Sequence, residues 1–316
     1  MVPLLFRLIS PAGASGKLSI FIFHRVLPNA DPLLPFEPDA EQFDWMVRFI
    51  SRTYSVLPLV EAAQRLTAGS LPAAAAVITF DDGYADNFEV AWPILRRYGV
   101  VASFFIATSF LDGGRMWNDD VIEAVRKFPG GELDLREFNL GTHALTDTAS
   151  RVQCYGAVLG KLKYFEHGYR SQVANEIGRR GAVPERSELM MTRTQLRELH
   201  AAGAEIGAHT HTHPILELLD DSMAIAEIEA GKLELESILG EAVNVFAYPN
   251  GVPQRDCSAR HGDMVKKLGF EAAVSTEPRY ANAGTDVFQL PRFTPWDRTP
   301  TKFAARCMMQ LWKRRI

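Results

Sequence analysis

Cysteine is scarce in this sequence: Cys154, Cys257 and Cys307 are odd in number and far apart, with no CxxC pair. That excludes a disulfide framework and a thiolate zinc site, and it suits a reducing compartment. Long hydrophobic runs are also missing, since no stretch approaches the roughly 18 uncharged apolar residues that a spanning helix needs. The apolar stretch from Met1 to Gly16 is broken by Pro3, Arg7 and Pro11, which makes a poor secretory leader, so a soluble, cytoplasmic chain is expected. An excess of positive charge is absent too, the formal net charge being -4 and the pI about 6.1. Nucleic acid is therefore a poor partner, and a neutral or weakly charged ligand a better one.

What is present is globular. With 47% hydrophobic and 23% charged residues over 316 positions, the chain is long enough for one large α/β domain or two small ones, and a single domain over 1–316 is expected. Short apolar runs rich in β-branched and aromatic residues recur at Leu18 to Phe23, Ala75 to Phe80, Val100 to Ala107, Glu205 to Ala208, Val243 to Tyr248 and Glu271 to Ser275. Between them lie amphipathic helical patterns, among them Gln42 to Ile50, Phe88 to Tyr98, Thr194 to Ala202 and Met223 to Leu239. Several end at a glycine (Gly69, Gly99, Gly203, Gly240, Gly269), where a left-handed cap is expected. This alternation predicts a parallel sheet closed as a distorted (β/α) barrel of about seven strands. From about Asp112 to Met190 the rhythm breaks, which predicts a partly helical insertion between two barrel strands, either lining a substrate groove or covering barrel helices. The last residues, Phe303 to Ile316, mix Met308, Leu311 and Trp312 with Arg306, Lys313, Arg314 and Arg315: a terminal helix packed on its own domain, or one in weak contact with an anionic membrane surface.

Two local patterns carry chemistry. In Thr79-Phe80-Asp81-Asp82-Gly83-Tyr84 an apolar strand runs into two acids and a glycine, at the strand end where parallel α/β folds place their sites. Side chains alternate along a strand, so the two carboxylates are expected to play different parts; an Asp-Gly turn or a helix cap is the plain alternative. In His209-Thr210-His211-Thr212-His213, three of the eight histidines fall within five residues after another apolar run. If the chain coils there, His209 and His213 come together; if it stays extended, His209 and His211 share a face. Two imidazoles and one carboxylate would hold a divalent cation with a position left open for water.

With these residues in view, the sequence resembles the polysaccharide deacetylases of carbohydrate esterase family four, which include chitin, peptidoglycan and nodulation-factor deacetylases. Their TFDDG motif stands here as Thr79 to Gly83 and their H-[ST]-x-x-H motif as His209 to His213. The resemblance implies that Asp82, His209 and His213 hold the metal, Zn²⁺ first and Co²⁺, Ni²⁺ or Fe²⁺ as alternatives. It makes Asp81 the general base and His211 a bystander. The third motif, R-x-P-Y in many members, looks like Phe246-Ala247-Tyr248-Pro249-Asn250-Gly251, which implies an oxyanion contact at the backbone N–H of Asn250. Tyr248 and Trp296 are taken as further residues on the substrate side. Ala247 replaces the motif's arginine, and Arg292 is the candidate to orient the base in its stead. No histidine follows His261, so the family's late acid histidine is missing; His24, at the end of the first strand, looks like the early acid histidine of the permuted poly-N-acetylglucosamine deacetylase branch.

The activity so implied is hydrolysis of an acetamide on an N-acetylated glycan or on a lipid- or nucleotide-linked amino sugar, within polysaccharide or cell-envelope biosynthesis. Competing readings are hydrolysis of another C–N bond such as a formamide or cyclic amide, a non-haem iron oxygenase, and a catalytically dead carbohydrate-binding protein.

Overall fold

A computed structural model describes residues 2–312. The basic end from Lys313 to Ile316, on which part of the membrane-contact expectation falls, lies outside the described residues. The strands are β1 (Leu18–Phe23), β2 (Ser55–Val56), β3 (Ala75–Phe80), β4 (Ser103–Ile106), β5 (Gly131–Asp134), β6 (Thr142–Leu145), β7 (Glu205–Ala208), β8 (Val245–Ala247) and β9 (Ala272–Val274). The helices are α1 (Val2–Ile9), α2 (Ala40–Thr53), α3 (Leu59–Thr67), α4 (Trp92–Arg97), α5 (Trp117–Lys127), α6 (Thr148–Leu162), α7 (His167–Arg180), α8 (Arg193–Ala201), α9 (Asp221–Leu239), α10 (Ala259–Lys267) and α11 (Pro300–Trp312).

All six residues of β1 and all six of β3 are buried, as continuous apolar runs must be when a parallel sheet is covered on both faces. The main sheet runs β1-β3-β4-β7-β8-β9, with β2 also on β3, and every pair is parallel. The carboxyl ends of these strands therefore open on one rim. Regular pairing leaves a gap between β9 and β1, which the extended segment from Leu290 to Phe293 fills: Ser275 N–H donates to Leu290 O at 2.8 Å, and Ile22 N–H to Phe293 O at 3.1 Å. The sheet is thus curled into the expected distorted barrel. Aromatic packing under the rim is tight, with Phe80 stacked on Phe104 at 4.8 Å and on Phe23 at 5.5 Å. Truncating one such buried ring to alanine typically costs about 3–5 kcal/mol.

Between β4 and β7 the chain leaves the barrel. It forms α5, the antiparallel hairpin β5–β6, α6 and α7, which enclose an apolar cluster of their own around Val121, Val125, Leu133, Leu162, Val173 and Ile177.

Candidate metal centre and active site

The acid pair sits where β3 ends. A regular strand would turn neighbouring side chains to opposite faces, but Asp82 takes a φ of 77°, in the left-handed region, and both carboxylates reach the same cavity. Aspartate tolerates that conformation better than most residues, and such conformations persist where the surroundings over-determine them. Thr210, His213 and Asn250, at the same rim, are also at positive φ. The histidine segment coils as well, so the extended alternative is excluded: the His209 and His213 rings lie 4.8 Å apart, whereas His211 turns outward to Thr108 Oγ1 at 2.8 Å.

Asp82 Oδ1 lies 3.5 Å from His209 Nε2 and 3.4 Å from His213 Nε2, and one ligand atom from each of the three buried residues lies within 4.8 Å of the others. Two atoms that each bind a tetrahedral zinc ion at about 2.0–2.1 Å stand about 3.4 Å apart, so the spacing is that of a ligand set. His209 Nδ1 is 2.7 Å from the carbonyl oxygen of Ala247, which can only accept, so Nδ1 carries a proton and Nε2 faces the other two ligands; burial would lower this imidazole, but Asp81 and Asp82 raise it above its ordinary value, as a place for positive charge requires. Burial would push Asp82 up, but the two imidazoles hold it well below the ordinary carboxylate range. Burial, with His209 and Arg170 nearby, pushes His213 down to about 3, which favours the neutral imidazole that a metal requires. The residues fit a divalent cation.

Asp81, 2% exposed, is gripped by Arg292, itself 0% exposed: Nη1 donates to Oδ1 and Nη2 to Oδ2, both at 2.7 Å. Arg292 is fixed in turn by Nε donating to Ser275 O at 3.0 Å and Nη1 to Thr79 Oγ1 at 3.1 Å. Burial opposes ionisation of Asp81, and the guanidinium overrides it, holding the carboxyl below its usual value. The closing segment of the barrel therefore brings to Asp81 a cation that Ala247 cannot provide.

Asp81, Asp82, His209 and His213 line a cavity of about 300 Å³, together with His24, Met116, Trp117, Asn118, Leu159, Gly160, Lys163, Asn250 and Thr276. His24 follows directly on β1 and faces this space, its backbone carbonyl accepting from Asn87 Nδ2 at 2.9 Å. Asn250 is pinned by Thr276 Oγ1, which donates to its carbonyl at 2.7 Å, while its side-chain amide nitrogen is buried without a partner. A larger cleft of about 620 Å³, bordered by Glu89, Asp112, Arg186 and Glu188, contains none of the motif residues.

Two residues expected on the substrate side are elsewhere. Tyr248 is fully buried beneath the rim, its hydroxyl donating to Phe288 O at 2.8 Å, because it continues the alternation of β8 on the side of Phe246, toward the outer helices rather than the barrel interior. Trp296 lies outside the cavity wall, 52% exposed and edge-on to Phe36 at 5.7 Å. Residues missed in the sequence come from the insertion. Trp117, Asn118 and Lys163 form the wall, and the buried Arg170 donates from Nη2 to His213 O at 3.1 Å. His167 Nε2 lies 3.0 Å from Thr212 Oγ1, a second tie to the histidine loop. The one available signal was the density of aromatic and basic residues from Tyr155 to Arg170, which does not say which of them turn inward.

Barrel and site together define an enzyme fold with a two-histidine, one-carboxylate centre beside an arginine-held acid. The family model for polysaccharide deacetylases matches residues 68–131 and 166–273, more than half of the chain. The chain belongs to the polysaccharide deacetylase family, hydrolases of carbon–nitrogen bonds other than peptide bonds. It is 33% identical over 92 residues to YxkH of Bacillus subtilis (strain 168), named as a polysaccharide deacetylase; that stretch is 29% of this chain and 32% of the relative. Among solved structures, the deacetylase PplD of Streptococcus pyogenes, in complex with acetate, superposes with a TM-score of 0.59 at 18% identity, covering 93% of this chain and 98% of its own. IcaB from Ammonifex degensii gives 0.59 at 18% identity, covering 94% and 98%. The BpsB deacetylase domain from Bordetella bronchiseptica gives 0.53 at 15% identity, covering 88% and 95%.

Proposed function

We propose that the protein hydrolyses the N-acetyl group of an amino-sugar glycan or its lipid- or nucleotide-linked precursor, with a divalent cation held by Asp82, His209 and His213. The observation that carries this reading is the convergence, in one cavity, of that ligand set with an acid held ionised by Arg292. Zinc is the ion expected first, and when bound it supplies Lewis acidity toward water and the acetamide carbonyl.

The chain's own residues divide the remaining work. Ionised Asp81 accepts a proton from the attacking water; Arg292 occupies one direction on each of its oxygens and leaves others free. The backbone N–H of Asn250 is assigned to the carbonyl oxygen as negative charge develops there. His24 donates a proton to the departing nitrogen, so water and acetamide become acetate and an amine. The place of His24 at the end of β1 supports the permuted poly-N-acetylglucosamine branch, and with it a role in polysaccharide or envelope biosynthesis. Release of acetate from a panel of N-acetylated oligosaccharides and linked amino sugars tests the proposal. Release of formate from formamides, or ring opening of cyclic amides, without acetate would assign the site to a different C–N bond.

A further inference from the structure

Away from the rim, two helices far apart in sequence share a support. Phe6 of α1 meets Phe49 of α2 at 6.0 Å and Tyr54 at 5.2 Å, while Phe303 of α11 meets the same Phe49 at 5.4 Å and Trp45 at 5.6 Å. Lys17 Nζ donates to the carbonyl of Leu311 at 2.6 Å. The inner sides of both helices are buried through Phe6, Phe303, Cys307 and Leu311. Their outer sides are not polar. Val2, Leu4, Leu5, Leu8, Met309 and Trp312 are 40–71% exposed, and these make up six of the fourteen large hydrophobic residues exposed among the described residues. The two helices hold only 8 and 13 residues, so the concentration is local. An outward face of leucines, methionine and tryptophan calls for a covering surface.

Charge selects the cover. No Asp or Glu occurs from residue 1 to 30 or from 298 to 316, in a chain whose net charge is -4. Arg7 on α1, Lys302 on α11, and Arg48 and Arg52 on the supporting α2 are all exposed. Arg306 is engaged by Asp297 and belongs to the fold. An apolar strip on two helices that themselves carry cations and no carboxylate matches the boundary of an anionic lipid leaflet, where acyl chains take the apolar side chains and headgroups the cations. A second copy of the chain would face these cations with the same charges in a two-fold contact.

We propose that α1 and α11 form a pad that docks the protein peripherally on an anionic membrane surface. The test is sedimentation of the full chain with vesicles of phosphatidylcholine alone and with about one third phosphatidylglycerol added. Binding is expected to the anionic vesicles only and to weaken as salt rises. Leu4→Ser with Leu8→Ser, and separately Met309→Ser with Trp312→Ser, are expected to reduce partitioning by about tenfold or more. Acetate release from a soluble N-acetylated oligosaccharide should remain at the wild-type rate, which keeps this proposal separate from the catalytic one. Arg7→Gln with Lys302→Gln leaves every apolar contact in place and should flatten the salt dependence. Equal binding to neutral and anionic vesicles, or to neither, would overturn the proposal. So would concentration-dependent dimerisation abolished by the same serine variants, which would make a second copy the occupant.

Discussion

The floor and the outer wall of the cavity are built differently. The floor stands on strand ends and the closing segment of the barrel: Asp81 is held at two points by Arg292, Arg292 by Ser275 and Thr79, and His209 by Ala247. The wall is carried by α5, α6 and the turn after α6, which rest on the insertion's own apolar cluster. It meets the floor through a few polar links, Arg170 to His213, His167 to Thr212 and Tyr84 to Asp119. Hydrolysis of an acetamide fixes where the floor groups must be, whatever sugar carries the acetyl, whereas the wall answers to the shape of that sugar. Damage to the floor should therefore appear in kcat, and damage to the wall in KM.

The largest effects belong to Asp81 and its clamp. Asp81→Asn should keep the metal and lower kcat by on the order of a hundredfold or more; loss of metal would instead exchange the roles of Asp81 and Asp82. Arg292→Ala leaves Asp81 buried without its partner, and denaturant unfolding should show a loss of about 3–5 kcal/mol. A loss below about 1 kcal/mol would mean that the ion pair is not what fixes the base.

His24 comes next. His24→Gln should retain fold and metal, lose most turnover on acetamides, and lose far less on activated esters, whose leaving groups need little protonation. An equal fall on both substrates would remove His24 from the role of acid. On the wall, Trp117→Leu and Lys163→Gln should raise KM by about tenfold with kcat within a few-fold. A fall in kcat at unchanged KM would erase the distinction between wall and floor.

The smallest effect concerns the joint between the two regions. Asp119 on α5 meets the Tyr84 hydroxyl at 3.1 Å, and burial pushes its carboxyl up to about 7 against the pull of Arg25, with Asp82 adding to the rise. Its folded value lies above the roughly 3.9 of an unfolded aspartate. The stability it contributes is therefore full below about pH 4 and is lost as pH rises through 7. Wild-type Tm should fall from pH 6 to 8 more than that of Asp119→Asn, both measured after chelation, when the charge of Asp82 is not neutralised by a cation. Parallel slopes would show that Asp119 is ionised throughout.

The sequence disclosed the floor far better than the wall. Asp81 and Asp82 are adjacent, and His209 and His213 four apart, because one strand end must present each pair, and so the chemistry leaves a contiguous trace. Arg292 was found through a vacancy, since Ala247 stands where a cation is needed. Arg170, Trp117 and Lys163 leave no such trace, because the packing of α5, α6 and α7 alone turns them toward the cavity. Tyr248 is two residues from Asn250 in sequence, but it stays on the side of β8 that Phe246 turns to the outer helices, away from the cavity. In α1, Pro3 breaks the apolar run in sequence, yet it does not break the helix, because proline suits the first turn, where its missing N–H has no partner to lose.

The central claim is that Asp82, His209 and His213 hold the ion on which acetyl hydrolysis depends. Metal content and acetate release should therefore be measured on the same preparations of wild type, His209→Ala, His211→Ala and His213→Ala, before and after chelation. About one divalent ion per chain is expected in wild type and in His211→Ala, little in the other two, and acetate release should follow the metal down and return when it is restored. Undiminished release from a demonstrably metal-free wild type would contradict it.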